Sequence, residues 1–280
     1  EKRKDLDERL SLIKQADISF LCLPDAAARE IAAAAPAECR ILDTSTAHRT
    51  DPSWVYGMPE LCEGQREKIK NSNRVAVPGC HATGVIMLIK PLLEAGLVPA
   101  DYPFCACSLT GYSGGGKKMI AQYESPERQR GNMGGQDILC SPRQYGIAQA
   151  HKHLPEIIAA TGISSAPAFS PIVADYYSGM EVTVPVFKKD ITGTIDDIKN
   201  IYKGFYTGKL VRFEDEADEN GFLSAAAFSG RDDMQISVNG NEDRIILTAR
   251  FDNLGKGASG SAIQNMNILL GADETFGLEL

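Results

Sequence analysis

A chain of 280 residues, 43% of them hydrophobic, is long enough for two domains of ordinary size or one large one. Its formal net charge of -8 and sequence pI near 5.1 provide no basic field, which argues against broad affinity for nucleic acid or an acidic membrane surface. The seven cysteines are odd in number and irregular in spacing, so a reduced, cytoplasmic chain is expected rather than a disulfide framework. The N-terminus, Glu1 to Asp5, carries no apolar signal-peptide core. The most apolar stretch, Ala16 to Ala37, is broken by Asp17, Asp25, Arg29 and Glu30, short of the roughly 18 uninterrupted apolar residues of a membrane span.

In chain order, Asp17 to Leu23 reads as a buried strand stopped by Pro24. Asp25 is expected to cap the alanine-rich helix that ends near Pro36. Arg40 to Leu42 and Arg74 to Val77 are further short strands, and Val85 to Ala95 is an apolar helix closed by Gly96 and Pro99. Strand-helix alternation of this kind predicts a parallel sheet with helices on its faces. The second half differs. Strands are expected at Phe104 to Thr110 (holding Cys105 and Cys107), Ser170 to Ala174, Glu181 to Phe187, Gln235 to Val238 and Arg244 to Phe251. Asn239-Gly240 is a candidate turn between the last two strands. An amphipathic helix at Thr194 to Tyr206 and a closing helix at Ala258 to Leu270 complete an α+β reading with a largely antiparallel sheet.

Cys80 follows a strand and the Pro78-Gly79 turn and precedes a helix. A helix N-terminus offers unpaired N–H groups and a positive dipole end, which stabilise a thiolate and could hold an oxyanion. The plainer reading is a buried structural cysteine. Its acid/base partner must come from His48, His81, His151 and His153. His81 is set aside, because neighbours in sequence point apart. His151 and His153, two apart in a stretch expected to be extended before Pro155, would share a face. They could also form a zinc pair, but no third ligand is evident, and no metal is expected. Ser108 to Lys117 runs from a strand into a glycine-rich loop able to present N–H donors to phosphate; it is not a Walker loop.

Four blocks carry a resemblance: Val77-Pro-Gly-Cys-His-Ala-Thr83, Ser108-Leu-Thr-Gly-Tyr-Ser-Gly114, His151-Lys-His-Leu-Pro-Glu-Ile157 and Asp252-Asn-Leu-Gly-Lys-Gly-Ala-Ser-Gly260. In this order they resemble the signature blocks of the N-acetyl-gamma-glutamyl-phosphate reductases, in their shorter form. The wider relatives are the aspartate-semialdehyde dehydrogenases. The resemblance implies an oxidoreductase of arginine biosynthesis: NADPH-dependent reduction of N-acetyl-L-glutamyl 5-phosphate to the semialdehyde through a cysteine thioester. It implies an α/β fold with a Rossmann-like NADP-binding domain (residues 1–80 and 256–280) and an α+β catalytic domain (81–255). Cys80 matches the nucleophile, and His153 or His151 the acid/base, His153 being favoured. Arg49 matches a substrate-carboxylate arginine, with Ser108, Tyr112 and Tyr145 around the substrate. Cys22, Leu23, Pro24, Ser45, Ser113, Gly114, Gly115, Asn253, Gly255, Lys256 and Gly257 fall where the family contacts NADP. A homodimer or homotetramer is implied.

The family's cofactor domain opens with a strand and a Gly-rich pyrophosphate turn. No such turn precedes Asp17, so either the first part of that domain is missing from this chain, the expected case, or the protein itself departs from the family here. Rival readings are reduction of aspartyl or acylaminoadipyl phosphate, a redox-sensing NAD(P)-binding module, and a structural protein on a retired enzyme fold. The His-x-His and the glycine-serine loop favour catalysis over the last two.

Overall fold

Short strands with both faces apolar organise the first part of the chain. In the computed structural model, which describes residues 5–128 and 137–280, β1 (Ser19–Leu21), β2 (Ile41–Asp43), β3 (Val55–Tyr56) and β4 (Arg74–Ala76) pair in the order β1-β2-β4-β3, all parallel. Successive strand residues point to opposite faces, and in β2 every residue is buried. Ile41 packs with Ile13, Leu21, Ala28 and Ile31 beneath α1 (Leu6–Gln15) and α2 (Asp25–Ala34). Leu42 packs with Ile69, Val75, Ala262 and Ile268 beneath α3 (Gln65–Lys70) and the last helix, α8 (Gly260–Leu270). Each fully buried leucine, isoleucine or valine among them contributes about 1.5–3 kcal/mol. These elements form one unit, the described residues through Gly79 together with Ala258–Leu278; Cys80–Gly257 with Glu279–Leu280 form a second.

The second unit is built on a seven-stranded sheet. Its strands are β5 (Cys105–Gly111), β6 (Arg143–Gln144), β7 (Ala168–Ala174), β8 (Met180–Phe187), β9 (Val211–Phe213), β10 (Met234–Gly240) and β11 (Arg244–Phe251). The order is β6-β7-β5-β8-β11-β10-β9, antiparallel except for the β7–β5 and β10–β9 pairs. Val182, Val184 and Val186 of β8 alternate onto the face covered by α4 (Cys80–Glu94). α5 (Gly116–Tyr123), α6 (Leu154–Thr161) and α7 (Ile195–Phe205) complete the unit. Thr194 and Asp197 cap α7 reciprocally in a capping box.

Several sequence expectations are corrected. Asp25 opens α2 rather than capping it; Pro24 holds the cap position, and the Asp25 carboxylate accepts from the N–H and hydroxyl of Thr46. α4 begins at Cys80, not Val85, because burial overrides the weak helix propensity of His81, Thr83 and Gly84. Gly84 is where the helix meets the sheet: a Cβ there would stand 2.4 Å from Val182 Cγ2. Asn239-Gly240 belongs to β10, and the turn is formed by residues 241–243, where Asn241 Oδ1 accepts from the N–H groups of Asp243 and Arg244. Among the described residues, no helix is long and apolar enough to cross a membrane.

Candidate active site

The N-terminal turn of α4 sets Cys80 and His81 side by side. Cys80 is half-buried, while His81 is buried at 3% exposure. Successive helical residues are about 100° apart, not opposed, so both side chains of this turn can take part in one site. The His81 ring lies among those of His151 (centroids 5.6 Å), His153 (5.7 Å), Tyr145 (6.0 Å) and Phe169 (5.5 Å). His81 Nδ1 is 2.7 Å from Ser108 Oγ, and Nε2 is 2.5 Å from Tyr145 Oη. A sequence signal for this existed: a histidine in an otherwise apolar buried helix must find polar partners.

His151 and His153 do come together, with centroids 4.7 Å apart, but through a turn rather than an extended stretch. His153 is the helical N-cap of α6, and Leu154 is already helical despite preceding Pro155, its N–H bonded to His151 O. The pre-proline preference for extended backbone yields here to burial of Leu154. The backbone N–H of His153 donates to His151 Nδ1 at 3.2 Å. A neutral His151 therefore carries its proton on Nε2.

Burial disfavours protonation of His81 and of His151. Burial, then the positive charges of His151 and Lys152, hold His81 at a pKa of about 3. Burial and Lys152 also lower His151. Burial, reinforced by the negative charge of Cys80, pushes the Tyr145 hydroxyl well above the ordinary phenol range, so it stays a proton donor.

The other expected substrate residues are placed differently. Ser108 is fully buried beneath His81. Tyr112 stacks on Tyr123 (4.6 Å, 11°) and donates to Glu124, in a cluster against which Tyr145 packs. Arg49, half-buried in the first unit, donates from Nε to Val77 O and from Nη2 to Thr44 O, each at 2.9 Å.

The expected cofactor residues fall in both units. In the first, Cys22, Leu23 and Pro24 follow β1 and Ser45 follows β2, at the carboxyl edge of the parallel sheet, where open α/β sheets bind ligands. Cys22 and Pro24 are exposed, while the Ser45 hydroxyl donates to Asp43 at 2.8 Å. In the second, Asn253 Nδ2 donates to Ser113 Oγ at 2.9 Å, and its Oδ1 accepts from Gly179 N–H at 3.0 Å. Gly114 and Gly115, beside Ser113, are exposed. Gly255, Lys256 and Gly257 lie in a buried π-turn anchored by Asp252, which accepts from Ser178, Gly230 and Leu254. A Cβ on Gly257 would stand 2.9 Å from Cys80 Cβ, so this turn lies directly against the cysteine.

Residues 2–72 match the family model "Semialdehyde dehydrogenase, NAD binding domain", and residues 80–253 match "Semialdehyde dehydrogenase, dimerisation domain". The chain is 40% identical over 289 residues to N-acetyl-gamma-glutamyl-phosphate reductase 2 of Nostoc sp., covering 99% of this chain and 88% of that protein. It is 39% identical, with the same coverage, to the reductase 2 of Pseudomonas putida. The chain belongs to the N-acetyl-gamma-glutamyl-phosphate reductase family of semialdehyde dehydrogenases. Among solved structures, aspartate semialdehyde dehydrogenase II from Vibrio cholerae shares the fold at a TM-score of 0.69 and 17% identity, covering 92% of this chain and 80% of that one. A probable aspartate-semialdehyde dehydrogenase from Pseudomonas aeruginosa does so at 0.70 and 15%, with the same coverage.

Proposed function

We propose that this protein is an NADP-dependent acyl-phosphate reductase of arginine biosynthesis. It converts N-acetyl-L-glutamyl 5-phosphate to N-acetyl-L-glutamate 5-semialdehyde and releases phosphate. The observation that carries this reading is the 40% identity, over 99% of the chain, to reductases of that name.

The Cys80 sulfur attacks the acyl carbonyl, the C–O bond to phosphate breaks, and a thioester remains. A sulfur nucleophile suits both halves of the reaction because it adds readily and leaves readily. NADPH, when bound, supplies the hydride that reduces the thioester carbon. The resulting thiohemiacetal expels Cys80 and frees the aldehyde. His151, its Nδ1 engaged by a backbone N–H, presents Nε2–H as a donor to oxygen. His153 is the favoured base and His151 its alternative. Arg49 is assigned to the substrate carboxylate, and Tyr145 to the substrate. For the cofactor this reading assigns Cys22 to Pro24 and Ser45, at the carboxyl edge of the parallel sheet, and Ser113 to Gly115 with Asn253. Gly255 to Gly257 complete that set.

Self-association belongs to this reading, as a homodimer or homotetramer in a cytoplasmic compartment; the matched dimerisation domain supports the association. The test is the reverse reaction, with N-acetylglutamate semialdehyde, NADP and phosphate, followed by appearance of reduced nicotinamide. Turnover should require phosphate, vanish in Cys80→Ala, and greatly exceed turnover of aspartate semialdehyde. Phosphate-independent turnover, or an active Cys80→Ala protein, would overturn the mechanism.

A further inference from the structure

We propose that Gln149 is a positioning residue: its side-chain amide clamps the turn that carries His151 and His153 onto the edge of β7. The inference rests on the reading of these histidines as the acid/base pair and extends it to a residue outside their ring cluster.

The edge of β7 outruns its neighbour. β6 pairs with it only at Val173 and Ile172, and the Tyr145 N–H adds one bond to Pro171 O at 3.0 Å. The chain then leaves the sheet through Gly146, whose φ is 62°. Phe169, two residues further along the edge, lies beyond any backbone partner on that side. Gln149 meets it from a single side chain: Oε1 accepts from Phe169 N–H at 2.8 Å, and Nε2 donates to Phe169 O at 2.7 Å. A primary amide carries an acceptor beside a donor, as a backbone rung does, so it extends the ladder without a strand. Phe169 is 1% exposed, and its N–H and C=O would otherwise be stranded away from water.

The backbone of Gln149 is itself held in an unfavourable state. Its φ of 53° lies in the left-handed region, which glycine enters freely and a glutamine does not. Such strain persists where the surroundings over-determine it. Glycine would relieve it here but has no amide, so the position calls for the side chain and not for the backbone conformation alone.

The clamp reaches the histidines by two routes. Phe169, whose backbone Gln149 grips, sets its ring against that of His151, with centroids 5.2 Å apart at 65°. Along the chain, His151 follows Gln149 by two residues, and its Nδ1 accepts from His153 N–H at 3.2 Å within the same turn. The turn is held at its start by the amide and at its end by α6, where Leu154 N–H donates to His151 O. Fixed at both ends, it keeps the bond to Nδ1 and with it the Nε2–H tautomer of neutral His151. Loss of the amide frees the start of the turn, and the bond that selects the tautomer loosens with it.

The test reads that tautomer by nitrogen NMR of the full chain with isotope-labelled histidine, near neutral pH and without substrate or cofactor; His151→Gln assigns the signal. The wild type should show His151 with its proton on Nε2 alone. Gln149→Gly should turn it into a mixture of both tautomers, although this variant relieves the left-handed φ. Gln149→Asn tolerates the same backbone and keeps an amide, but is one methylene too short to bridge to Phe169, and should give the same mixture. In the phosphate-dependent reverse reaction both variants should lower kcat about tenfold or more, with little change in KM. A single Nε2–H tautomer in both variants overturns the proposal, as does an asparagine that behaves like the wild type. If one variant fails to fold, the other carries the decision. Mixed tautomers with undiminished turnover uphold the clamp and overturn the acid/base reading of the turn, so the two failures are told apart.

Discussion

His81 also has a thermodynamic signature of its own. In the unfolded chain an imidazole takes up a proton near pH 6.5, whereas the folded chain refuses it until about pH 3. Between those values the unfolded state binds more protons, so folding stability rises with pH. The contribution is complete above about pH 6.5 and is lost progressively as pH falls toward 3. The urea midpoint should therefore fall more steeply on acidification in the wild type than in His81→Gln, which has no ring to titrate. Equal slopes would mean that His81 gains its proton freely in the folded state. Gly257 shows a constraint of the opposite kind at the same scale, where the absence of a side chain lets the π-turn meet Cys80.

At the scale of elements, α4 shows how a sequence flaw is repaired by a neighbour. Pro91 lies inside this helix and lacks the N–H that would bond Met87 O. The hydroxyl of Tyr206, the C-cap of α7, donates to that carbonyl at 2.5 Å, and Tyr202 donates to Leu88 O. Both tyrosines are buried, so an unmet carbonyl would have no access to water. Tyr206→Phe should cost about 1–3 kcal/mol, measured by denaturant unfolding. In a Pro91→Ala background the same substitution should cost much less, because alanine restores the helical N–H. An equal cost in both backgrounds would assign the loss to packing instead.

For the whole molecule, the expected self-association has a surface to use. Cys107 and Leu109 of β5, Glu181, Thr183 and Pro185 of β8, and Ile246 of β11 alternate onto the sheet face opposite α4. All remain only half-buried. Burial already pushes the Glu181 carboxyl up and the Cys107 thiol up. This face lies within the segment matched to a dimerisation domain, and a second copy of the chain is its expected occupant. Thr183→Arg, near the centre of the face, should shift the protein toward monomer in sedimentation velocity. An unchanged assembly would place the interface elsewhere.

Local pattern by itself determined the longer strands of both sheets, because alternation and apolar runs are written residue by residue along Glu181 to Phe187 and Arg244 to Phe251; the short strands β3, β6 and β9 carry too few residues to show a pattern. The ordered blocks around Cys80, Ser113, His151 and Asn253 likewise carried the resemblance to the family that the relatives then showed. Tertiary structure decided what depends on residues distant in the chain. It placed Ser108 and Tyr145 on the two nitrogens of His81, moved Tyr112 into an aromatic stack, and made a turn rather than a strand bring His151 to His153. Sequence separation hides such pairings, because a hydrogen bond across 64 residues leaves no periodic trace in either partner's neighbours. Burial acts on the same elements for the same reason: it overrides helix propensity at the start of α4 and the extended preference of Leu154, and only the packed fold shows where it falls.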